Sequence, residues 1–475
     1  MKKIWILFFL PVLFSACIEK EPAPRNNTLS DNNLVSITSK SVFTPYQLSA
    51  ATAETPMVAE GTGDNQTIQE LASKAIDLIT FNRVHRLDTL FSGHAVMKEK
   101  NREWQIESYT FTYRTIAANG QPVTLSGRVS FPNAKDTSAI HHQVSSISLY
   151  THHYLVNKAH APAASVQIVD MRTLYNSVVV SPDYQGYGST ENLPYCGYSF
   201  DAQARQAADC INAALIVMRQ QGVTLADDSY TTAWGFSLAA PVTLAFARYY
   251  DQKMTNKQRD MVNLRSVYIG EGPYFLDTLI HYYNNHPDFT AFALDYSPIY
   301  LAALPRALFG KYSMTDFLPQ WMQTQQVEID GETISYIEAM KKNHGVWNYW
   351  PEGLSHALLV NHFADDMRTE DNHLDLSNPK TTFILDMLHN LSDWDGWTPT
   401  MPIFMYHSRN DNSIPYEQAY NFYNYLRDKG AFVYWKDCST KLLESYTTAH
   451  VAGTILGTVN SVLHEDPRKA HIFTN

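Results

Sequence analysis

Short apolar runs, spaced by longer stretches of helical periodicity, organise the chain from Tyr109 onward. Tyr109-Thr-Phe-Thr-Tyr113 alternates, Ala118-Asn119-Gly120-Gln121-Pro122 is turn chemistry, and Val123 to Phe131 alternates again, so an antiparallel pair is predicted first. The rhythm then changes. Ser146–Tyr150, Ser177–Val180, Tyr230–Trp234, Ser266–Ile269, Ile403–Tyr406 and Ala431–Trp435 are short apolar or β-branched runs. Ala202–Met218, Pro241–Tyr250 and Tyr416–Lys429 read as helices among them. An antiparallel lead-in followed by alternating strand and helix predicts an α/β protein, with a mostly parallel central sheet flanked by helices.

Between Gly272 and about Trp397 the alternation stops. This stretch is rich in Tyr, Trp, His and Leu and reads as a large, mainly helical insertion over 272–395, entered through Gly270-Glu-Gly-Pro-Tyr274. It interrupts a core formed by 65–271 and 396–475. Trp347, Tyr349 and Trp350 within it are candidates to line a pocket or to pack the insertion onto the core. Upstream, 18–64 is polar and carries Glu19-Lys20-Glu21-Pro22-Ala23-Pro24, the composition of a flexible tether. Thr67–Phe81 has the spacing of an amphipathic helix.

At the N-terminus Lys2 and Lys3 precede an apolar run, Ile4–Phe14, and then Ser15-Ala16-Cys17. The run is too short for a permanent membrane span. Residues 1–17 resemble a bacterial lipoprotein signal, which implies that Cys17 becomes the lipidated first residue of an envelope protein. The anchor would then lie on the periplasmic or cell-surface face of the outer membrane. Ordinary secretion with cleavage nearby is the alternative, and either reading puts the mature chain outside the cytoplasm.

Charge narrows the partners. The net charge of -11 from 47 acidic and 36 basic side chains, with no basic block, argues against nucleic acid, whose binding needs clustered Lys and Arg. Beyond Cys17 the cysteines are Cys196, Cys210 and Cys438; a Cys196–Cys210 disulfide and three buried thiols are both consistent with the sequence. No Cys or His spacing suits a zinc or iron–sulfur site.

The chemistry centres on Trp234-Gly235-Phe236-Ser237-Leu238-Ala239-Ala240. A serine on a sharp strand-to-helix turn needs small residues two places before and after it, and Gly235 and Ala239 provide them. Tyr230–Trp234 reads as the strand before the turn, and the residues from Pro241 as the helix after it. Asp411 follows the run Ile403–Tyr406 and precedes Ile414-Pro415 and a helix. His450 follows the next strand, in Tyr446-Thr-Thr-Ala-His-Val-Ala-Gly453. Ser237, Asp411 and His450 thus occur in the order nucleophile, acid, base at the ends of successive strands.

On these residues, together with Ser181-Pro-Asp-Tyr-Gln-Gly-Tyr-Gly-Ser189, the stretch from about 105 to 460 resembles the α/β-hydrolase superfamily, and within it the bacterial secretory lipase and esterase branch. The resemblance implies an α/β-hydrolase fold with a cap and a serine hydrolase cleaving carboxylic esters, small or polymer-linked, without metal or organic cofactor. It implies an oxyanion hole built from the Leu238 N–H and a second N–H of the loop after Tyr150, with His153 and Tyr154 as candidates, and a structural role for Asp183. Two departures stand out: Ala239 replaces the usual Gly, and His152-His153 occupies the place of His-Gly. A peptidase of the same fold and a non-catalytic surface binding lipoprotein are the alternatives.

Overall fold

A computed structural model describes residues 32–53, 104–134, 142–155, 158–193, 195–287, 289, 311–329, 331–341, 351–355, 358–439 and 450. The strands of its main sheet are β1 (Leu34–Phe43), β2 (Trp104–Ile116), β3 (Pro122–Ala134), β4 (His142–Tyr150), β5 (Ser177–Pro182), β6 (Val223–Phe236) and β7 (Leu264–Gly270). β8 (Gln326–Ile329) and β9 (Glu332–Ser335) form a separate hairpin, and β10 (Ile403–His407) and β11 (Val433–Asp437) complete the main sheet. The principal helices are α1 (Pro45–Ala53), α2 (Phe200–Gln220), α3 (Ala239–Gln252), α4 (Leu276–Asn285), α5 (Pro379–Leu391) and α6 (Tyr416–Asp428).

The nine strands lie in the order β1-β2-β3-β5-β4-β6-β7-β10-β11. Pairing is antiparallel from β1 to β5 and parallel from β5 to β11. The middle of the sheet is buried on both faces, so its strands carry apolar or small side chains on either side; every residue of β5 is buried. Ile147, Leu149, Val178, Val180, Ala233 and Ile269 point into the cluster shared with α2 and α3. Their neighbours Tyr150, Val179, Trp234 and Tyr268 face a second cluster that takes in Leu48 of α1 and Ile168–Leu174. In α2, Ala204, Ala207, Ile211, Ala214 and Met218 repeat at helical spacing and are all buried, and Gly222, at φ 77°, ends the helix where a left-handed residue is needed.

Two expectations change here, and one open choice is decided. Residues 34–53, taken as part of a flexible tether, instead form β1 and α1. β1 pairs along β2 from Leu34↔Tyr113 to Phe43↔Ile106, and Leu48 of α1 is fully buried. The strand is hard to see because most of its side chains are exposed and its partner lies about seventy residues further on. Among the described residues, the stretch expected to be a mainly helical insertion also holds the β8–β9 hairpin, with Gly331 at φ 82° before β9. Finally, Cys196, Cys210 and Cys438 are buried free thiols. Cys210 Sγ sits where a β-carbon on Gly127 would come within 2.7 Å, so it fills the space over that glycine of β3. Cys17, the Thr67–Phe81 segment, and Trp347, Tyr349 and Trp350 lie outside the described residues.

Candidate active site

Four strands deliver the site. Ser237 follows β6, Glu271 follows β7, Asp411 lies four residues beyond β10, and His450 comes after β11. In a parallel sheet these ends share one edge, which is where open α/β sheets place their ligands.

Ser237 takes φ 55°, the left-handed region that a non-glycine residue occupies only when its surroundings hold it there. The restraints are visible. Its N–H donates to Gly270 O at 2.9 Å, and the Ala240 N–H donates to Ser237 O at 2.9 Å. Beneath the turn, the Thr151 and Thr243 hydroxyls are hydrogen-bonded to each other at 2.6 Å, and Thr151 Oγ1 also lies 3.1 Å from Trp234 O and 3.2 Å from Ala239 O. Gly235 is pressed against this knot: a β-carbon there would lie 2.0 Å from Thr243 Oγ1, 2.4 Å from Thr151 Oγ1 and 2.6 Å from Ala239 O. Gly235→Ala is therefore expected to destabilise the fold by roughly 2–4 kcal/mol, read as a lower urea midpoint at unchanged m-value. Ala239 is fully buried in the same place, so its methyl is accommodated.

Ser237 Oγ lies 2.7 Å from His450 Nε2, and His450 Nδ1 lies 2.8 Å from Asp411 Oδ2. The three residues singled out in the sequence are thus joined in one hydrogen-bonded chain. Asp411 is fixed from behind, its Oδ1 accepting the N–H groups of Ser413 at 2.7 Å and Ile414 at 2.8 Å. The His450 N–H donates to Asn412 Oδ1 at 3.2 Å. Burial pushes the Asp411 carboxyl up, but His450 beside it, a hydrogen bond with Glu271 and the nearby His407 together hold it well below the usual carboxylate range. Ser237 is half-buried, so its hydroxyl remains reachable. Such a chain can activate a hydroxyl as a nucleophile and stabilise the imidazolium that results.

The loop after β4 lies beside it. His152 is buried between Tyr184 and Tyr187, with ring centroids 4.8 Å and 5.0 Å away. Burial lowers its pKa to about 3, so the ring is neutral, and its Nδ1 is 2.6 Å from His153 O. With a carbonyl as partner, Nδ1 carries the hydrogen and donates it. That bond sets the plane of the peptide that carries the Tyr154 N–H. His153 lies within electrostatic reach of His450; burial, and then His450, lowers its pKa to about 4. Among the described residues the N–H groups of Leu238 and His153 have no hydrogen-bond partner within the chain.

Asp183 is held away from this chemistry. It is fully buried, accepting Ser126 Oγ–H at 2.7 Å and the Ala163 N–H at 3.1 Å, and burial raises its pKa to about 6. Gly188 packs against it, where a β-carbon would come within 2.3 Å of Asp183 Oδ2. This is a structural knot.

Glu271 is the residue that the sequence left unmarked. It is buried, with φ 50°, and its oxygens lie at the back of the Asp411 loop. Glu271, Asp411 and His450 each bring one donor atom within 4.8 Å of the others, the spacing of a three-ligand metal site. Two of the three are spent otherwise: His450 Nε2 on Ser237 and its Nδ1 on Asp411 Oδ2, and Asp411 Oδ1 on two backbone N–H groups.

Neither a family model nor a curated protein matches the sequence. Solved structures do. The chain is similar to a Legionella pneumophila protein whose assignment to the hydrolases is itself provisional, with TM-score 0.62 and 16% identity over 92% of this chain and 100% of that one. It is similar also to a ligand-bound form of the rice cell wall degrading esterase LipA from Xanthomonas oryzae, with TM-score 0.59 and 16% identity over 90% of this chain and 98% of that one. At such identity the likeness shows the fold. The chain has the α/β-hydrolase fold, a mostly parallel nine-stranded sheet flanked by helices.

Proposed function

We propose that the protein is a serine hydrolase that cleaves carboxylic esters through an acyl-enzyme intermediate, tethered to the bacterial cell envelope by a lipid on Cys17. The observation that carries the reading is the unbroken chain from Ser237 Oγ through His450 to Asp411, closed by contacts of 2.7 Å and 2.8 Å around a serine held at φ 55°. The esterase among the structural neighbours supports the reaction class, and its action on cell wall supports a polymer-linked ester as one substrate type.

His450 Nε2 takes the Ser237 proton as Oγ attacks the ester carbonyl, and Asp411 holds the Nδ1 hydrogen and stabilises the charged ring. The oxyanion is received by the Leu238 N–H at the start of α3 and by an N–H of the His153-Tyr154 loop, whose peptide plane the His152 ring fixes. His450 then hands its proton to the departing alcohol, and water enters by the same route to release the acid. These steps call for no cofactor.

A fluorophosphonate probe tests the reading, because only an activated serine displaces its leaving group. The expected result is one adduct per chain, mapped by mass spectrometry to the peptide containing Ser237, with parallel loss of p-nitrophenyl ester hydrolysis. A folded protein that takes up no probe would instead be a binding lipoprotein on the same scaffold.

A further inference from the structure

The strands β7 and β10 are parallel neighbours, and Gly270 pairs with Tyr406 at their ends. The chain leaving β7 turns at once: the Glu271 N–H donates to Tyr406 O at 3.1 Å, and φ 50° swings the side chain sideways under the loop that follows β10. There Oε1 accepts the Ser408 N–H at 3.0 Å. Oε2, though buried, receives no hydrogen from any N–H or O–H among the described residues. His407 Nε2 is 3.4 Å away, but that nitrogen donates to Ile414 O at 3.0 Å. The neighbour left for Oε2 is the Asp411 carboxyl, whose Oδ2 lies 3.5 Å from the same His407 nitrogen and which has an oxygen within 4.8 Å of one of Glu271's.

Two buried carboxylates with oxygens within 4.8 Å do not both ionise, so the pair holds a proton. Asp411 has the better claim to the charge, with His450 on one oxygen and two backbone N–H groups on the other, against a single N–H for Glu271. We propose that Glu271 is a positioning residue: protonated at neutral pH, it donates its carboxyl hydrogen to Asp411, aims that carboxylate at His450 and keeps one negative charge rather than two behind the imidazole. The positioning role rests on the hydrolase reading; the protonation does not. The groups that face Glu271 are Asp411 and His407 from β10 and its loop, His450, Cys438 after β11, and Tyr274 on its own segment. None carries a fixed positive charge. Burial, then the Asp411 charge and the hydrogen bond to it, push the Glu271 carboxyl well above the ordinary range, while burial lowers the pKa of His407.

The test compares wild type, Glu271→Gln and Glu271→Leu in the full chain. An unfolded Glu loses its proton near pH ~4.3, so a folded Glu271 that keeps it must take one up on folding at higher pH. The stability this group contributes is then fully present below that pH and is lost as the pH rises towards its folded value. Glu271→Gln has no such uptake, so the melting temperature of the variant relative to wild type should climb steadily from pH 5 to pH 8. Parallel curves would mean that Glu271 is ionised in the fold, which overturns the proposal. This arm reads no catalysis, so it decides even if the protein hydrolyses no ester.

The second arm reads the rate. Gln is a neutral donor like the protonated acid, so the acid limb of kcat/KM for Glu271→Gln should stay within about 0.3 of a pH unit of wild type. A downward displacement of about one unit would show that a negative charge had been removed, against the proposal. Leu cannot donate: kcat should fall roughly 10- to 100-fold while KM holds, with Gln restoring it. Equal kcat in the Leu variant would rule out positioning. Should the Leu variant fail to fold, the Gln comparisons settle the matter.

Discussion

Ser237→Ala should lower kcat for a p-nitrophenyl ester by on the order of a million-fold while the protein stays folded. In the proposed mechanism the three side chains act as a unit: without Oγ there is no covalent route, and His450 and Asp411 have nothing to activate. What survives is the weak assistance of the oxyanion donors and of substrate binding. The fold should be nearly untouched. Alanine meets the same cost at φ 55° as serine, and the lost side-chain contact is the hydrogen bond of 2.7 Å to His450, so stability should change by no more than about 1 kcal/mol. Steady-state kinetics beside a urea melt checks both halves. A variant with wild-type turnover would remove Ser237 from the mechanism outright.

Asp411→Asn comes next in size, with kcat expected to drop on the order of 10⁴-fold. Asn still fills the space, and its oxygen can still take the Ser413 and Ile414 N–H groups. It then presents an NH₂ to His450 Nδ1, which forces the hydrogen onto Nε2, where it blocks proton transfer from Ser237. The charge that stabilised the imidazolium is gone as well. The variant should also reveal a linkage. The folded Asp411 is held below its unfolded range, so its contribution to stability is present at neutral pH and is lost as pH falls through the folded value. The deficit of Asp411→Asn relative to wild type should accordingly be widest at neutral pH and narrow in acid, the reverse of the trend expected for Glu271→Gln. Chemical denaturation at a series of pH values separates the two signs.

The chain order of Ser237, Asp411 and His450 was legible because each rests on local punctuation. A strand run, a small-residue turn and a helix lie within a dozen residues around Ser237; Asp411 sits between a strand and Ile414-Pro415; His450 follows the last strand. Sequence periodicity likewise placed the parallel strands and the helices α2, α3 and α6, since burial on both faces of a sheet writes itself as continuous apolar runs. β1 was not legible. Its mostly exposed side chains give no core-facing pattern, and its stability comes from pairing with β2, which no nearby residue announces.

Glu271 shows the same limit at the site. In the sequence it is one acid between two glycines at the entry of an insertion. It is bonded to Ser408, 137 residues away, and it meets Asp411 because β7 and β10 are neighbours in the sheet. The choice between a disulfide and buried thiols at Cys196 and Cys210 was open for a similar reason: spacing permits a bridge, and the packing of Cys210 over Gly127 occupies that sulfur elsewhere. By itself the sequence determined the class of fold and which serine, acid and base to bring together, because local backbone preference and burial period are properties of short segments. Tertiary structure alone decided their distances, the burial of Glu271 behind them and the tautomer of His152, because electrostatic coupling depends on which strand ends become neighbours.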